Sequence, residues 1–293
     1  MDAAIVILLE SAEQINATKI LIDSLRALGG ELGQSTILLF KSAQDLPDTS
    51  ESGIEISMLE MDARLKEFPL AGKVAACAQA EKIAGNKFRS MIWMNPETLV
   101  IKPPILLGLG SKCDLAIRPV HIQNIGLSAA APIDDYWKEI YQIVGLTDDK
   151  TTVESFVDKQ KLRAYYNTHV FSINPTIGLF RLWTGYFKRL ALDQKFQSGP
   201  CRDGLHKIFL HQAVLSALIE KMVPTSRLRL LPPDYSYPYN LQDKVPIDRR
   251  AEVLNELTVM VYEQRSIDPD EMKDIRVEEP LRAWLGTELR NNH

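Results

Sequence analysis

The sequence predicts an α/β fold, a Rossmann-like, mostly parallel mixed sheet with helices on both faces. Three observations carry this expectation. Ala3 to Leu9 and Met91 to Met94 are apolar without alternation, which is how strands covered on both faces read. Segments with apolar residues at helical spacing separate such runs, and alternation of strand with helix gives a parallel sheet. The stretch 88–104 runs apolar, breaks at Asn95-Pro96-Glu97 and turns apolar again. Proline cannot donate to a sheet ladder, so the chain must leave the sheet there, with two oxygen-bearing side chains flanking the break. In open α/β sheets the carboxyl end of a central strand is where ligands sit.

Taken in order, Ala3 to Leu9 is the first strand and Glu10-Ser11 marks its carboxyl end. Ile20, Leu21, Leu25 and Leu28 recur at helical spacing before Gly29-Gly30 stops the helix. No Gly-x-Gly-x-x-Gly follows the strand, which disfavours a dinucleotide motif. Further strands are expected over 35–40 and 54–59, with a polar loop at 45–53. An alanine-rich helix spans Pro69 to Lys82, with Leu70, Val74 and Cys77 on one face and Lys73 near its start. Gly108-Leu109-Gly110 is no phosphate loop, because no strand feeds it. Asp114 to Val120 reads as a strand carrying Arg118. A guanidinium pairs bidentately with phosphate or carboxylate, so Arg118 is either a phosphate clamp or half of a structural ion pair.

Pro132 to Val144 is an amphipathic helix, and 147–161 is a polar loop or short helix. A strand is expected within Tyr165 to Pro175. The helix Thr176 to Leu192 places Phe180, Trp183, Phe187 and Leu190 at core spacing. Ile208 to Leu218 is an apolar helix interrupted by His211-Gln212. Leu228 to Leu231 and Leu257 to Glu263 are strands on either side of a proline-tyrosine loop, Pro232 to Asn240, and a last helix falls around Pro280 to Arg290.

With 293 residues, 45% hydrophobic and 25% charged, the chain can bury a large core in one domain or two. Its 38 acidic and 34 basic residues, with no long basic run, argue against a nucleic-acid binder. No apolar stretch is long enough to span a bilayer, and the apolar start follows an aspartate instead of a basic segment, so a cytoplasmic protein is expected. Cys77, Cys113 and Cys201 lack the spacing of a zinc site or a disulfide framework. No Gly-x-Ser-x-Gly elbow or triad spacing supports a hydrolase.

Several segments, in order, resemble the GT-A glycosyltransferases, especially family 8, in which a buried strand ends in Asp-x-Asp followed by Thr-Leu-Val and proline. The matching stretch is Met94-Asn95-Pro96-Glu97-Thr98-Leu99-Val100-Ile101-Lys102-Pro103. Tyr166-Asn167-Thr168-His169 is similar to the family's Phe-Asn-Ala-Gly, His211-Gln212 to its Asp-Gln pair, and the proline-tyrosine loop to its Leu-Pro-x-x-Tyr-Asn-Tyr-Pro segment. Relatives place a metal-binding histidine at the end of the last strand, where Tyr262-Glu263 stands here.

The resemblance implies one GT-A (nucleotide-diphospho-sugar transferase) domain over 1–293. Its nucleotide-binding half would be about 1–125, its sugar and acceptor half about 126–265, and its tail 266–293. It implies a nucleotide-diphospho-sugar donor and an unidentified acceptor. A divalent cation, manganese or magnesium, would be held weakly or not at all by Asn95, Glu97 and Glu263, because hard oxygen ligands neutralise a leaving diphosphate. Asn95, Glu97, His211 and Gln212 stand in the catalytic positions. Glu10, Ser11, Lys73, Arg118, Asn167, His169, Tyr235 and Tyr237 stand around the nucleotide-sugar. Each departure has a plainer alternative: Asn95 and Glu97 as a capped turn, Lys73 as a solvated surface lysine, His169 as a space-filling structural histidine, the tyrosines as a lid on the core. Asn95 and Glu97 are expected to face the same cleft as Asn167 and His211. A scaffold that keeps the fold without the metal site is the rival to a transferase.

Overall fold

The computed structural model describes residues 2–46, 52–149 and 151–291. In chain order the elements are β1 (Ala3–Leu9), α1 (Ile15–Leu28), β2 (Thr36–Lys41), β3 (Ile54–Met58), α2 (Ala71–Ala84), β4 (Ser90–Met94), β5 (Thr98–Val100), β6 (Leu115–Ile117), α3 (Asp135–Val144), β7 (Thr152–Glu154), β8 (Lys161–Arg163), β9 (Val170–Ile173), α4 (Leu179–Ala191), α5 (Gln194–Ser198), α6 (Gly204–Met222), β10 (Leu228–Leu230), β11 (Tyr237–Pro238), β12 (Val259–Val261) and α7 (Leu281–Asn291).

Seven strands form the main sheet in the order β10-β6-β9-β4-β1-β2-β3. All run parallel except β9, which is antiparallel to both β4 and β6. From β1 the chain winds outward through β2 and β3, then crosses back through α2 to place β4 on the other side of β1. The order of winding reverses between β1 and β4, and a crevice opens at the carboxyl ends of strands around such a point.

Alternate residues of β1 serve two cores. Ala4, Val6 and Leu8 join a cluster with Val74 and Cys77 of α2, Trp137 of α3, Phe180 of α4 and Val214 of α6. Ala3, Ile5, Ile7 and Leu9 join another with Leu21, Ile22 and Leu25 of α1. Period-two side-chain alternation between two helical layers explains why β1 is apolar throughout. Ala71, Ala76, Ala80 and Ala84 are all buried in α2, and their small side chains let that helix lie close on the sheet.

The Asn95-Pro96-Glu97 break moves the chain from this sheet into a second one, β11-β12-β5. Thr98, Leu99 and Val100 there pair antiparallel with Val261, Met260 and Val259. This register sets Tyr262 beside Glu97, joined by a Tyr262 N–H donated to the Glu97 carbonyl at 3.1 Å. A third core forms around the small sheet, and Ile267, Met272, Ile275, Val277, Leu281 and Leu285 pack into it. The C-terminal segment is thus a built part of the domain.

Some elements differ from expectation. The segment 147–161 contains β7, which pairs antiparallel with β8 as a hairpin; Val153 and Leu162 are its inward-facing residues, too few to show alternation in sequence. Lys150 and the centre of the 45–53 loop lie outside the described residues. Helix α6 starts at Gly204, well before Ile208, because Asp203 caps it by accepting from the His206 N–H at 3.0 Å. Helix α4 starts only at Leu179, since Gly178 takes a positive φ of 67° after a single 3-10 turn. The three cysteines are free and buried. Among the described residues no helix is long and apolar enough to cross a membrane.

Candidate nucleotide-sugar site

A cavity of about 410 Å³ lies at the carboxyl ends of β1 and β4. Asn95, Glu97, Asn167 and His211 all line it, together with Glu10, Lys73, His169, Gln212 and Glu263. The topology accounts for this convergence. The antiparallel pairing of β4 with β9 ends at Met94 and Val170, and one further bond, Asn95 N–H to the His169 carbonyl at 3.0 Å, sets the end of β4 against the three polar residues that precede β9. The β5–β12 register adds Glu263, and α6 covers the floor with His211 and Gln212.

Lys73, in the first turn of α2, is 4% exposed. Its ammonium donates to the Thr168 carbonyl at 3.2 Å and lies 5.3 Å from the Trp93 ring centroid. Burial pulls it down to about 8, with Glu10 and Glu263 among the opposing charges. An ammonium carries three donors, and the one bond in place leaves two for a ligand. Next to it, Gly72 lacks a Cβ for a specific reason: one would lie 2.2 Å from Oε1 of Glu10.

His169 forms the centre of one wall. Asn167 Oδ1 accepts from the His169 amide at 2.8 Å, which fixes that oxygen's orientation, and it faces His169 Nδ1 at 3.0 Å. His169 Nε2 faces Glu263 Oε1 at 3.1 Å, and Asn240 Nδ2 donates to Glu263 Oε2 at 2.5 Å. The bond from His169 is the main cause holding the Glu263 carboxyl below its ordinary value. Both ring nitrogens of His169 therefore face side-chain oxygens, Nδ1 that of Asn167 and Nε2 that of Glu263. His121 stacks on this ring, centroids 5.7 Å apart at 20°. Its own nitrogens have no partner, and burial, then Arg118 and His169, keeps it neutral.

Asn95, Glu97 and Glu263, which the family likeness implies around a weakly held divalent cation or none, line the cavity together. Glu263 Oε1 and Oε2 each meet one hydrogen-bond partner, and Asn95 Oδ1 accepts from Trp93 Nε1 at 2.8 Å, so each oxygen keeps a further acceptor position. Glu97 and Glu10 both present carboxylates without a hydrogen-bond partner among the described residues; burial raises each above its ordinary value, with Glu263 adding to the rise at Glu97 and Lys73 opposing it at Glu10. Among the described residues no three His, Cys, Asp or Glu side chains are grouped as for a metal.

His211 is fully enclosed. Its Nδ1 faces the Ile208 carbonyl at 2.9 Å and so carries the hydrogen, leaving Nε2 to accept from the Thr168 hydroxyl at 3.0 Å. Burial, followed by the charge of Lys73, pushes it well below the ordinary histidine value. It braces Thr168 and the lead-in to β9 as a neutral ring.

Four expected residues fall outside the cavity lining. Ser11 begins the 3-10 turn Ala12–Gln14. Arg118 pairs with no carboxylate among the described residues: its Nη1 donates to the carbonyls of Pro233, Tyr235 and Ser236 at 2.9, 3.0 and 2.9 Å, and the guanidinium lies 4.9 Å from the Phe156 ring centroid. It fastens the proline-tyrosine loop from beneath. Tyr235 and Tyr237 are buried in cores, the first accepting from the Leu106 N–H at 3.0 Å, the second bonding Gln242 and Ala251. Sequence reasoning in turn missed Trp93, His121, Asn124, Thr168 and Asn240 as lining residues. It also missed backbone strain: of five non-glycine residues with positive φ among those described, Leu70, Asn124 and Glu263 line the cavity.

No protein-family model matches this chain, and no curated protein does so at a significant level. The likeness to GT-A glycosyltransferases thus stands on the quoted segments alone.

Proposed function

We propose that this chain is a GT-A-type protein that binds a nucleotide-diphospho-sugar in the β1/β4 crevice and transfers its sugar to an acceptor slowly. The observation that carries the reading is Lys73, a buried ammonium with two donors to spare, at the one place where this sheet topology favours a ligand. The cavity volume of about 410 Å³ is within the range of small-molecule sites. In support, the polar residues at the ends of β4 and before β9, quoted for the family likeness, line the same space.

In this reading Lys73 meets the diphosphate, while Asn167 and Gln212 present hydrogen-bonding groups to the sugar. Transfer breaks the bond between the anomeric carbon and the diphosphate oxygen, and the acceptor hydroxyl forms the new one, losing its proton. Negative charge develops on the departing diphosphate and must be stabilised for the step to be fast. Glu10, Glu97 and Glu263 also face the cavity, and the single ammonium of Lys73 offsets them incompletely. Removing one such stabilising group in other enzymes costs roughly 10²–10³ in rate, hence the expectation of binding with slow turnover.

A thermal-shift screen of nucleoside diphosphates and their sugars, with manganese and with chelator, tests the reading. A ligand that binds only the folded state raises the melting temperature by mass action. The expected result is a rise with at least one nucleoside diphosphate, abolished in Lys73→Met. No rise with any nucleotide at millimolar concentration overturns the proposal.

A further inference from the structure

We infer that a cavity at the carboxyl ends of β6 and β10 is a second ligand site, one that takes a small carboxylate with an apolar body on the free edge of the Arg118 guanidinium. The cavity has a volume of about 520 Å³, within the range of small-molecule sites, and shares no lining residue with the β1/β4 crevice. It stands independently of the nucleotide-sugar reading.

Arg118 directly follows β6, lines this cavity and is 3% exposed. Its Nη1 is spent on three carbonyls of the proline-tyrosine loop, and the Phe156 ring lies against the guanidinium, so the head group is fixed in place. Nε is buried without a hydrogen-bond partner, and among the described residues Nη2 has none either. Nε and Nη2 are the donors along one side of the fork, and their N–H bonds run parallel, the geometry that meets both oxygens of a carboxylate. Fastening the loop uses Nη1 alone. That role leaves the other edge unexplained, and a buried charged donor without a partner is costly to keep.

The other charged side chains of the lining are already matched. Glu154 accepts from Arg249 at 2.5 Å and Asp248 from Lys159 at 2.9 Å. Asp234 attracts Arg118 through space but gives its carboxylate to the Thr258 hydroxyl. One cation is thus left for one anionic charge. A doubly charged phosphate would set its second charge near Glu154 and Asp248, which favours a monovalent carboxylate instead. The rest of the wall decides what carries that carboxylate. Pro119, Phe156, Leu231 and Pro233 are apolar, and Leu230, at the end of β10, is 48% exposed. A ring or short aliphatic chain laid against them removes apolar surface from water.

The experiment titrates benzoate, acetate, benzyl alcohol and inorganic phosphate into the full chain, with affinity read by calorimetry and the Arg118 Nε–H resonance followed by NMR. That resonance is identified by its loss in Arg118→Lys. Benzoate should move it and bind with a dissociation constant of about 1 mM, the order expected for a ligand of roughly ten non-hydrogen atoms. Acetate lacks the apolar body and benzyl alcohol lacks the charge, so each should bind at least about tenfold more weakly. Leu230→Glu puts a like charge at an exposed position of the lining, where folding is not at stake, and should cost benzoate at least about tenfold. If Arg118→Lys does not fold, the affinities of the parent and of Leu230→Glu decide the matter without it. An absence of benzoate binding at about 10 mM overturns the inference. So does benzyl alcohol binding as tightly as benzoate, phosphate binding more tightly than benzoate, or benzoate affinity unchanged in Leu230→Glu. Benzoate binding that leaves the Nε–H resonance in place also overturns it, because the ligand then sits elsewhere.

Discussion

Replacing Lys73 by methionine should make the protein more stable and unable to bind its ligand. The side chain is 4% exposed and makes one hydrogen bond, to the Thr168 carbonyl. Burial pulls its ammonium from 10.5 to about 8 despite the attraction of Glu10 and Glu263. A tenfold change in proton affinity corresponds to about 1.4 kcal/mol, so holding this charge in the fold costs about 3 kcal/mol. Because the folded-state value is the lower one, the sign is fixed. Below pH 8 the lysine is charged in folded and unfolded chains alike and the full cost is present. Between pH 8 and 10.5 the folded chain sheds its proton first, and the cost fades. Methionine has similar length and no charge to desolvate. Lys73→Met should therefore gain about 3 kcal/mol at pH 7, a rise of about 6 °C in Tm for a chain of this size, and the gain should shrink toward pH 10. Urea unfolding of both proteins at pH 7 and pH 10 measures it. If the variant is less stable at pH 7, or its advantage is the same at both pH values, the buried-cation argument is refuted.

Arg118→Met should lose about 3 kcal/mol, from charge-assisted bonds to three carbonyls and its stacking on Phe156, while nucleoside diphosphate affinity changes less than about threefold. A large loss of affinity at unchanged stability, by calorimetry, would restore the phosphate-clamp reading. Asp114, bonded by Arg227, Asn174 and Arg89, is held down to about 2, chiefly by Arg227. Its folded value is depressed, so its contribution of about 2 kcal/mol is present above pH 4 and disappears as pH falls through 2. Denaturation curves of the parent and Asp114→Asn should differ at pH 7 and converge near pH 2.

What the sequence made legible was whatever depends on neighbours along the chain. β1 is apolar at every position because it has helices on both faces, and that shows without coordinates. The polar break after Met94 and the polar triplet before Val170 mark strand termini, where ligands gather in such sheets, whereas Asn167 and His211, the latter within α6, joined Asn95 and Glu97 in the expectation only through the family resemblance. The orientation of Arg118 was not legible. It follows a strand of three residues, too short for alternation to show which face the next residue takes. Whether a guanidinium meets phosphate, carboxylate or carbonyl depends on a loop more than a hundred residues later. Tyr235 and Tyr237 failed in the same way, since an aromatic on a loop looks alike whether it faces the cavity or the core. His121 and Asn240 carry no local signal, and positive φ at Leu70 and Glu263 is a demand of tertiary packing that neither residue type announces.

Several unfavourable terms of this structure gather in one place. Leu70, Asn124 and Glu263 hold backbone conformations that cost on the order of 1–3 kcal/mol each. Lys73 is buried with most of its donors free, Glu97 is raised by burial and then by the charge of Glu263, and the His121 ring has both nitrogens without a partner. All six residues line one cavity. Net stability of a folded chain is on the order of 5–15 kcal/mol, so this concentration consumes a substantial part of it, and apolar replacements at several of these positions would fold better. A region that served only as core would have no reason to keep an ammonium, two unpaired imidazole nitrogens and an open carboxylate within one space at the carboxyl ends of β1 and β4. A ligand with phosphate for the ammonium and hydroxyls for the polar wall removes part of each cost when it binds, and that exchange is the physical case for reading this crevice as a site.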